Sequence, residues 1–164
     1  MVEIERKFLV TSLPDLKSRP SLSYERYYLP SKDGEEVRIQ KKGDKYEIER
    51  KITLSGLSRE TLRHSLTQNE YRDLKHEAGK GIERESYDFG NGLTVKIYKG
   101  RFSGLIRAEK EFSSEQEAAD YQPESWFGNE ITHSPLGRDK SLLSLSNKEF
   151  EDLLTLLSSG APHL

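Results

Sequence analysis

The chain has no cysteine among its 164 residues. Disulfides, thiolate nucleophiles and thiolate metal ligands are therefore excluded. It has little net charge: 26 basic and 28 acidic side chains leave −2 with histidine neutral. Bulk electrostatics thus predict no general attraction to nucleic acid or membrane, and a polyanion would have to be held by local charge. It has no apolar run long enough to span a bilayer and no apolar segment near Met1 of the kind a secretory signal carries. A soluble, cytoplasmic protein is expected. Its four histidines, His64, His76, His133 and His163, show no metal-ligand spacing and read as surface residues. Apolar residues are also scarce, 33% of the chain against 33% charged. The length suffices for a core, so that core is either thin or wrapped around something polar.

What the chain does have is alternation. Glu3-Ile4-Glu5-Arg6-Lys7-Phe8 read as a strand puts Glu3, Glu5 and Lys7 on one face and Val2, Ile4 and Phe8 on the other, with Arg6 the exception. Two carboxylates about 7 Å apart along a strand can share a hard divalent cation. A lysine one step further can hold an anion beside them. Further strands are expected at Ser23–Leu29, Glu36–Lys41, Tyr46–Thr53, Arg59–Leu66, Gly81–Phe89, Leu93–Lys99 and Leu105–Phe112, joined by turns such as Asp33-Gly34, Gly43-Asp44 and Asn91-Gly92.

Three capping patterns, Thr67/Glu70, Ser114/Glu117 and Ser146/Glu149, open helices. The first runs to about Ala78. The last, about 147–159, carries Phe150, Leu153, Leu154 and Leu157 at helical spacing and stops at Gly160. Trp126–Ile131 reads as a short extended piece and 137–140 as loop. Gly79-Lys80-Gly81 lacks the strand–loop–helix context of a phosphate loop and reads as a helix stop. No repeat or linker divides the chain, so residues 1–164 are expected to form one domain.

Many hairpin-linked strands, charged on one face and apolar on the other, fit two architectures. An open sheet would put the charges in water. A closed sheet would turn them into a lumen. One face collects Glu3, Glu5, Lys7, Arg38, Lys51, Arg59, Arg63, Arg84, Lys96, Glu109 and Glu111. Bases of this kind bind phosphate oxygens, and i, i+2 carboxylate pairs recruit metals that bridge them.

Glu3-Ile4-Glu5-Arg6-Lys7 resembles the E-x-E-x-K signature of the CYTH family, the triphosphate tunnel metalloenzymes. The likeness extends from Val2 to about Leu145, through Tyr27-Tyr28-Leu29, Glu36-Val37-Arg38-Ile39, Leu57-Ser58-Arg59, Glu109-Lys110-Glu111-Phe112 and 126–132. It implies an α+β fold, an eight-stranded antiparallel β-barrel with a polar lumen and about three covering helices. It implies Mg²⁺ or Mn²⁺ on Glu3, Glu5, Glu109, Glu111 and Glu130. Phosphates would lie on Lys7, Arg38, Lys51, Arg59 and Arg84, with Lys7 and Glu5 at the chemistry. The chain departs from the family at Gln40, Thr61, Arg63, Ser86, Thr94 and Lys96, and at Leu136-Gly137. Basic residues stand where acids are usual, and Arg63, Lys96 and Arg107 add positive charge to the face. Three readings stay open: a metal-dependent triphosphatase, a non-catalytic or weakly catalytic binder of nucleotide or polyphosphate, and, last, an adenylyl cyclase. A monomer or a homodimer is expected, the last helix covering the barrel.

Overall fold

The structure, a computed structural model, describes residues 1–158. Gly160, the expected helix stop, and His163 lie outside the described residues. Nine strands run antiparallel: β1 (Val2–Val10), β2 (Ser21–Leu29), β3 (Glu35–Lys42), β4 (Lys45–Thr53), β5 (Ser58–Leu66), β6 (Gly81–Asp88), β7 (Leu93–Tyr98), β8 (Ile106–Phe112) and β9 (Phe127–Glu130). Their order is β5-β4-β3-β2-β6-β7-β8-β1-β9, and a further pairing of β1 with β5 closes the first eight into a barrel. Of the two architectures the alternation allowed, the molecule adopts the closed one.

The closing seam is short. β1 meets β5 over three register pairs, Val2↔Glu60, Glu3↔Arg59 and Ile4↔Ser58, whereas its other edge meets β8 over six, from Ile4↔Phe112 to Leu9↔Arg107. Beyond the seam, β9 takes the same edge of β1 through Phe8↔Glu130 and Val10↔Phe127.

Turn chemistry sets the hairpins. Asn91 and Gly92 both adopt positive φ, 53° and 76°, joining β6 to β7. Helix α1 (Gln68–Glu77) follows β5. Its capping box is complete: the Glu70 amide donates to Thr67 Oγ1 at 3.1 Å, and the Thr67 amide to Glu70 Oε1 at 2.8 Å. Helices α2 (Glu115–Asp120) and α4 (Asn147–Ser158) begin after Ser114 and Ser146, which cap Glu117 and Glu149. A fourth helix, α3 (Asp139–Ser144), occupies part of the stretch read from sequence as loop. It lies outside any long apolar period, so nothing in the pattern announced it.

The apolar core is divided between the two faces of the barrel wall. Leu9, Ile82 and Tyr98 of the wall pack with Phe102, Leu105, Leu136, Leu142 of α3 and Phe150 of α4. A second cluster joins Phe8, Val10, Val95, Ala108 and Phe127. This second cluster lies outside the wall, whereas Leu9, Ile82 and Tyr98 stand two residues from Lys7, Arg84 and Lys96 on the same strand faces, so the inner face is apolar where the first cluster meets it and charged along the rest of the lumen. An eight-stranded barrel is just wide enough to be filled by side chains or to hold one small ligand.

Candidate active site: the charged lumen

Alternation sends one set of side chains inward from every barrel strand. They line a cavity of about 170 Å³. Among the described residues eleven bases and seven carboxylates line it, an excess of four positive charges, and its only aromatic is Tyr24. Nine of the ten residues singled out in the sequence meet there: Glu3, Glu5, Lys7, Arg38, Lys51, Arg59, Arg84, Glu109 and Glu111.

The tenth, Glu130, does not line the cavity. It is the register partner of Phe8, whose side chain belongs to the outer core, so it points away from the lumen. There it takes a two-pronged bond from Arg6, at 3.0 Å from Nε and 2.6 Å from Nη2, and a bond from Thr132 Oγ1 at 2.6 Å. This also accounts for Arg6, the residue that broke the alternation of β1.

The lumen bases are held by carboxylates. Asp139, at the start of α3, is the main hub. Its Oδ2 accepts from Arg26 Nη1 at 3.0 Å and Arg84 Nε at 3.2 Å. Its Oδ1 accepts from Arg107 Nη2 at 3.0 Å and the Tyr98 hydroxyl at 2.5 Å. Burial alone would raise the Asp139 carboxyl; Arg84, Arg107 and Arg26 pull it well below the ordinary range. Glu49 is a second hub, accepting from Arg38 Nε at 3.0 Å and from Arg63 Nε at 2.8 Å. Burial opposes its ionisation, and Arg38 and Arg26 overcome it. Gln40 Oε1 adds two bonds to Arg26, at 2.9 and 2.6 Å.

Lys7 Nζ donates to the Gly137 carbonyl at 2.8 Å and lies 3.4 Å from Glu5. Burial lowers its pKa, with Glu5 and Glu109 opposing. Lys51 pairs with Glu3, and Arg59 Nη1 lies 3.1 Å from Glu36. Lys96 Nζ donates to Glu109 Oε1 at 2.8 Å. Burial, with Arg84 beside it and Glu109 opposing, pushes the Lys96 ammonium down to about 7.

Arg84 is paired through Nε alone. Its side chain is fully buried, its guanidinium carbon sits 4.4 Å over the Tyr24 ring, and Nη1 and Nη2 have no hydrogen-bond partner. Buried donors are nearly always satisfied, so an orphaned guanidinium fork calls for an acceptor. An anionic oxygen is what such a fork matches best.

A hard divalent cation needs several carboxylate oxygens converging on one point. The register brings Glu5 opposite Glu111 and Lys7 opposite Glu109. Burial, then the like charges of Glu5 and Glu3, holds the Glu111 carboxyl above the ordinary range. Glu109 is engaged by Lys96 and Arg107, and Glu130 is elsewhere. Among the described residues no three carboxylates or imidazoles converge to hold a metal. The set as it stands does not fit a preformed metal centre.

Sequence reading missed the residues that hold the bases. Asp139 lay in a stretch without periodicity. Arg26 was hidden in an aromatic strand, although its alternation with Tyr24 and Tyr28 was the available signal. Glu49 stands two residues before Lys51 on β4, and that alternation was its available signal.

A closed antiparallel barrel with a lumen of Arg, Lys and carboxylates defines the triphosphate-tunnel class. No protein-family model matches the chain. A curated inorganic triphosphatase of Nitrosomonas europaea is 30% identical over 147 residues, 87% of this chain and 97% of that protein. One of Acetivibrio thermocellus is 27% identical over 155 residues, 92% and 98% of the two chains. A crystal structure of an inorganic triphosphatase superposes with TM-score 0.61 at 27% identity, covering 85% of this chain and 93% of that one. The fold recurs in a protein of Pyrococcus horikoshii, TM-score 0.55 at 17% identity. The chain belongs to the CYTH family of triphosphate tunnel proteins.

Proposed function

We propose that the chain hydrolyses inorganic triphosphate, or a similarly short polyphosphate, inside the lumen. The observation that carries this is the buried, unpartnered Arg84 fork in a cavity with four surplus positive charges. The relatives' activity supports the same reading. The cavity, about 170 Å³, is smaller than the roughly 300–1,000 Å³ typical of drug-sized sites, which favours a compact anion over a nucleotide.

Water attacks a terminal phosphorus in line with the bridging oxygen. The anhydride P–O bond breaks, its electron pair leaves with diphosphate, and orthophosphate and a proton are released. Little covalent chemistry is left to the protein, so positioning and preorganised charge carry the reaction. Arg84 supplies two donors to the phosphate chain. Arg38, Lys51 and Arg59 line its path. Glu5 is kept ionised by Lys7 against the opposing push of burial and of Glu109. As an ionised acceptor it orients the attacking water. Lys7, itself anchored on the Gly137 carbonyl, donates to the phosphoryl oxygens.

A second reading is binding without turnover. Asp139 and Glu49 already engage Arg26, Arg38 and Arg107, so a substrate must share those bases. Orthophosphate release from tripolyphosphate, ATP and thiamine triphosphate, in Mg²⁺ and in Mn²⁺, separates the two. Release from tripolyphosphate is expected. Tight binding with no product would favour the second reading, and cyclic AMP from ATP would overturn both. The cytoplasmic location is part of the same proposal and is checked by cell fractionation. Among the described residues no helix is long and apolar enough to cross a membrane.

A further inference from the structure

We propose that Lys96 and Arg107 supply, as fixed charge, what a divalent cation would supply at Glu109, so that this part of the lumen binds polyphosphate with no metal ion there. The inference rests on the triphosphate reading above and deepens it.

Both oxygens of Glu109 are engaged. Oε1 accepts from Lys96 Nζ at 2.8 Å. Oε2 accepts from Arg107 Nε at 2.8 Å, with Nη2 at 2.7 Å. Arg107 and Lys96, when the latter is protonated, together bring to one carboxylate the charge that a divalent ion would bring. They are not free to leave. The Arg107 side chain is 2% exposed, and it is tied on its other sides to the Leu136 carbonyl at 2.9 Å and to Asp139 at 3.0 Å.

The register makes the arrangement notable. Lys96 and Arg107 are directly opposite each other on β7 and β8. Like charges in that position ordinarily repel and destabilise a sheet. Here Glu109 lies between them, and Asp139 takes the far side of Arg107, so the pair is compensated in place. A metal ion approaching Glu109 would meet two cations at hydrogen-bond distance from its ligand and would have to displace both.

Lumen charge agrees. The four surplus positive charges, counted with Lys96 protonated, are close to the roughly four to five negative charges of tripolyphosphate near neutral pH, about one on the central phosphate and about 1.5 to 2 on each terminal one. Glu3, Glu5 and Glu111 remain as the carboxylates a divalent ion could still use, which allows at most one such ion.

The test uses the full chain. Bound Mn²⁺ is counted by electron paramagnetic resonance, and tripolyphosphate binding is measured by calorimetry in EDTA and in Mn²⁺. The wild type is expected to bind at most one Mn²⁺ and to keep its tripolyphosphate Kd within about threefold in EDTA. Lys96→Asp is expected to gain one Mn²⁺ and to lose tripolyphosphate affinity in EDTA by roughly tenfold or more. Lys96→Met removes the charge without offering a ligand. It should leave the Mn²⁺ count unchanged and weaken binding in EDTA, and it decides the matter if circular dichroism shows the aspartate variant unfolded. A second Mn²⁺ on the wild type that Glu109→Gln abolishes would overturn the proposal, as would wild-type binding that needs Mn²⁺. Absence of tripolyphosphate binding in either buffer would instead sink the triphosphate reading, with the Mn²⁺ count still deciding this one.

Discussion

The Lys7 ammonium donates to the carbonyl oxygen of Gly137 at 2.8 Å, across 130 positions of sequence. The contact exists because Gly137 has no side chain: a Cβ there would stand 2.1 Å from the Ile131 carbonyl oxygen. Gly137→Ala must therefore shift the segment that ends in α3 and pull its carbonyl off Lys7. A loss of about 1–3 kcal/mol is expected from such overpacking, seen as a thermal midpoint several degrees lower. Tripolyphosphate hydrolysis should fall with it, since Lys7 loses its anchor.

Arg84 gives the sharpest kinetic expectation. Replacing it with Gln removes the orphaned fork, and kcat/KM for tripolyphosphate should drop by about two to three decades. Arg84→Lys keeps the charge as a point rather than a fork and should recover only part of that loss. Steady-state phosphate release measures both, and an unchanged kcat/KM in the Gln variant would remove the central observation.

Asp139 predicts a pH signature in stability. Its folded carboxyl lies well below the ordinary range. Its contribution is therefore complete above the unfolded value of about 4 and is lost as the pH falls below that toward the folded one. Asp139→Asn leaves three arginines short of their shared anion and should cost about 3–5 kcal/mol at neutral pH. Urea denaturation from pH 7 to pH 3 should show the gap between wild type and variant narrowing only below about pH 4.

Glu130 tests placement. Its two-pronged bond to Arg6 ties β9 to β1 outside the lumen. Glu130→Gln should lower stability by ~1–3 kcal/mol, by the same amount in Mn²⁺ as in EDTA. A difference between the two buffers would restore it as a metal ligand.

Much of this molecule was legible because a barrel strand keeps strict period two. Glu3, Glu5 and Lys7 on β1, Arg38 on β3 and Glu109 and Glu111 on β8 reached the lumen that their alternation required. Three kinds of information were not in the pattern. Asp139 enters from a short helix whose position depends on packing of Leu136 and Leu142. Glu130 is acidic and extended like the true lumen residues, but its facing is set by its register with Phe8, which no local spacing reveals. The pairing of bases with Asp139 and Glu49 is a property of the assembled cross-section, where residues from six strands meet.

The seam of three rungs between β1 and β5 has a consequence for traffic. Glu3 and Arg59 face each other across it, so parting those rungs would slit the tube lengthwise at a point where both lips already carry charge. A hoop is as strong as its clasp: the amides around Val2–Ile4 and Ser58–Glu60 should exchange with deuterium well before those of the long β3–β4 ladder. An anion too bulky to thread in from the end would then have a side door.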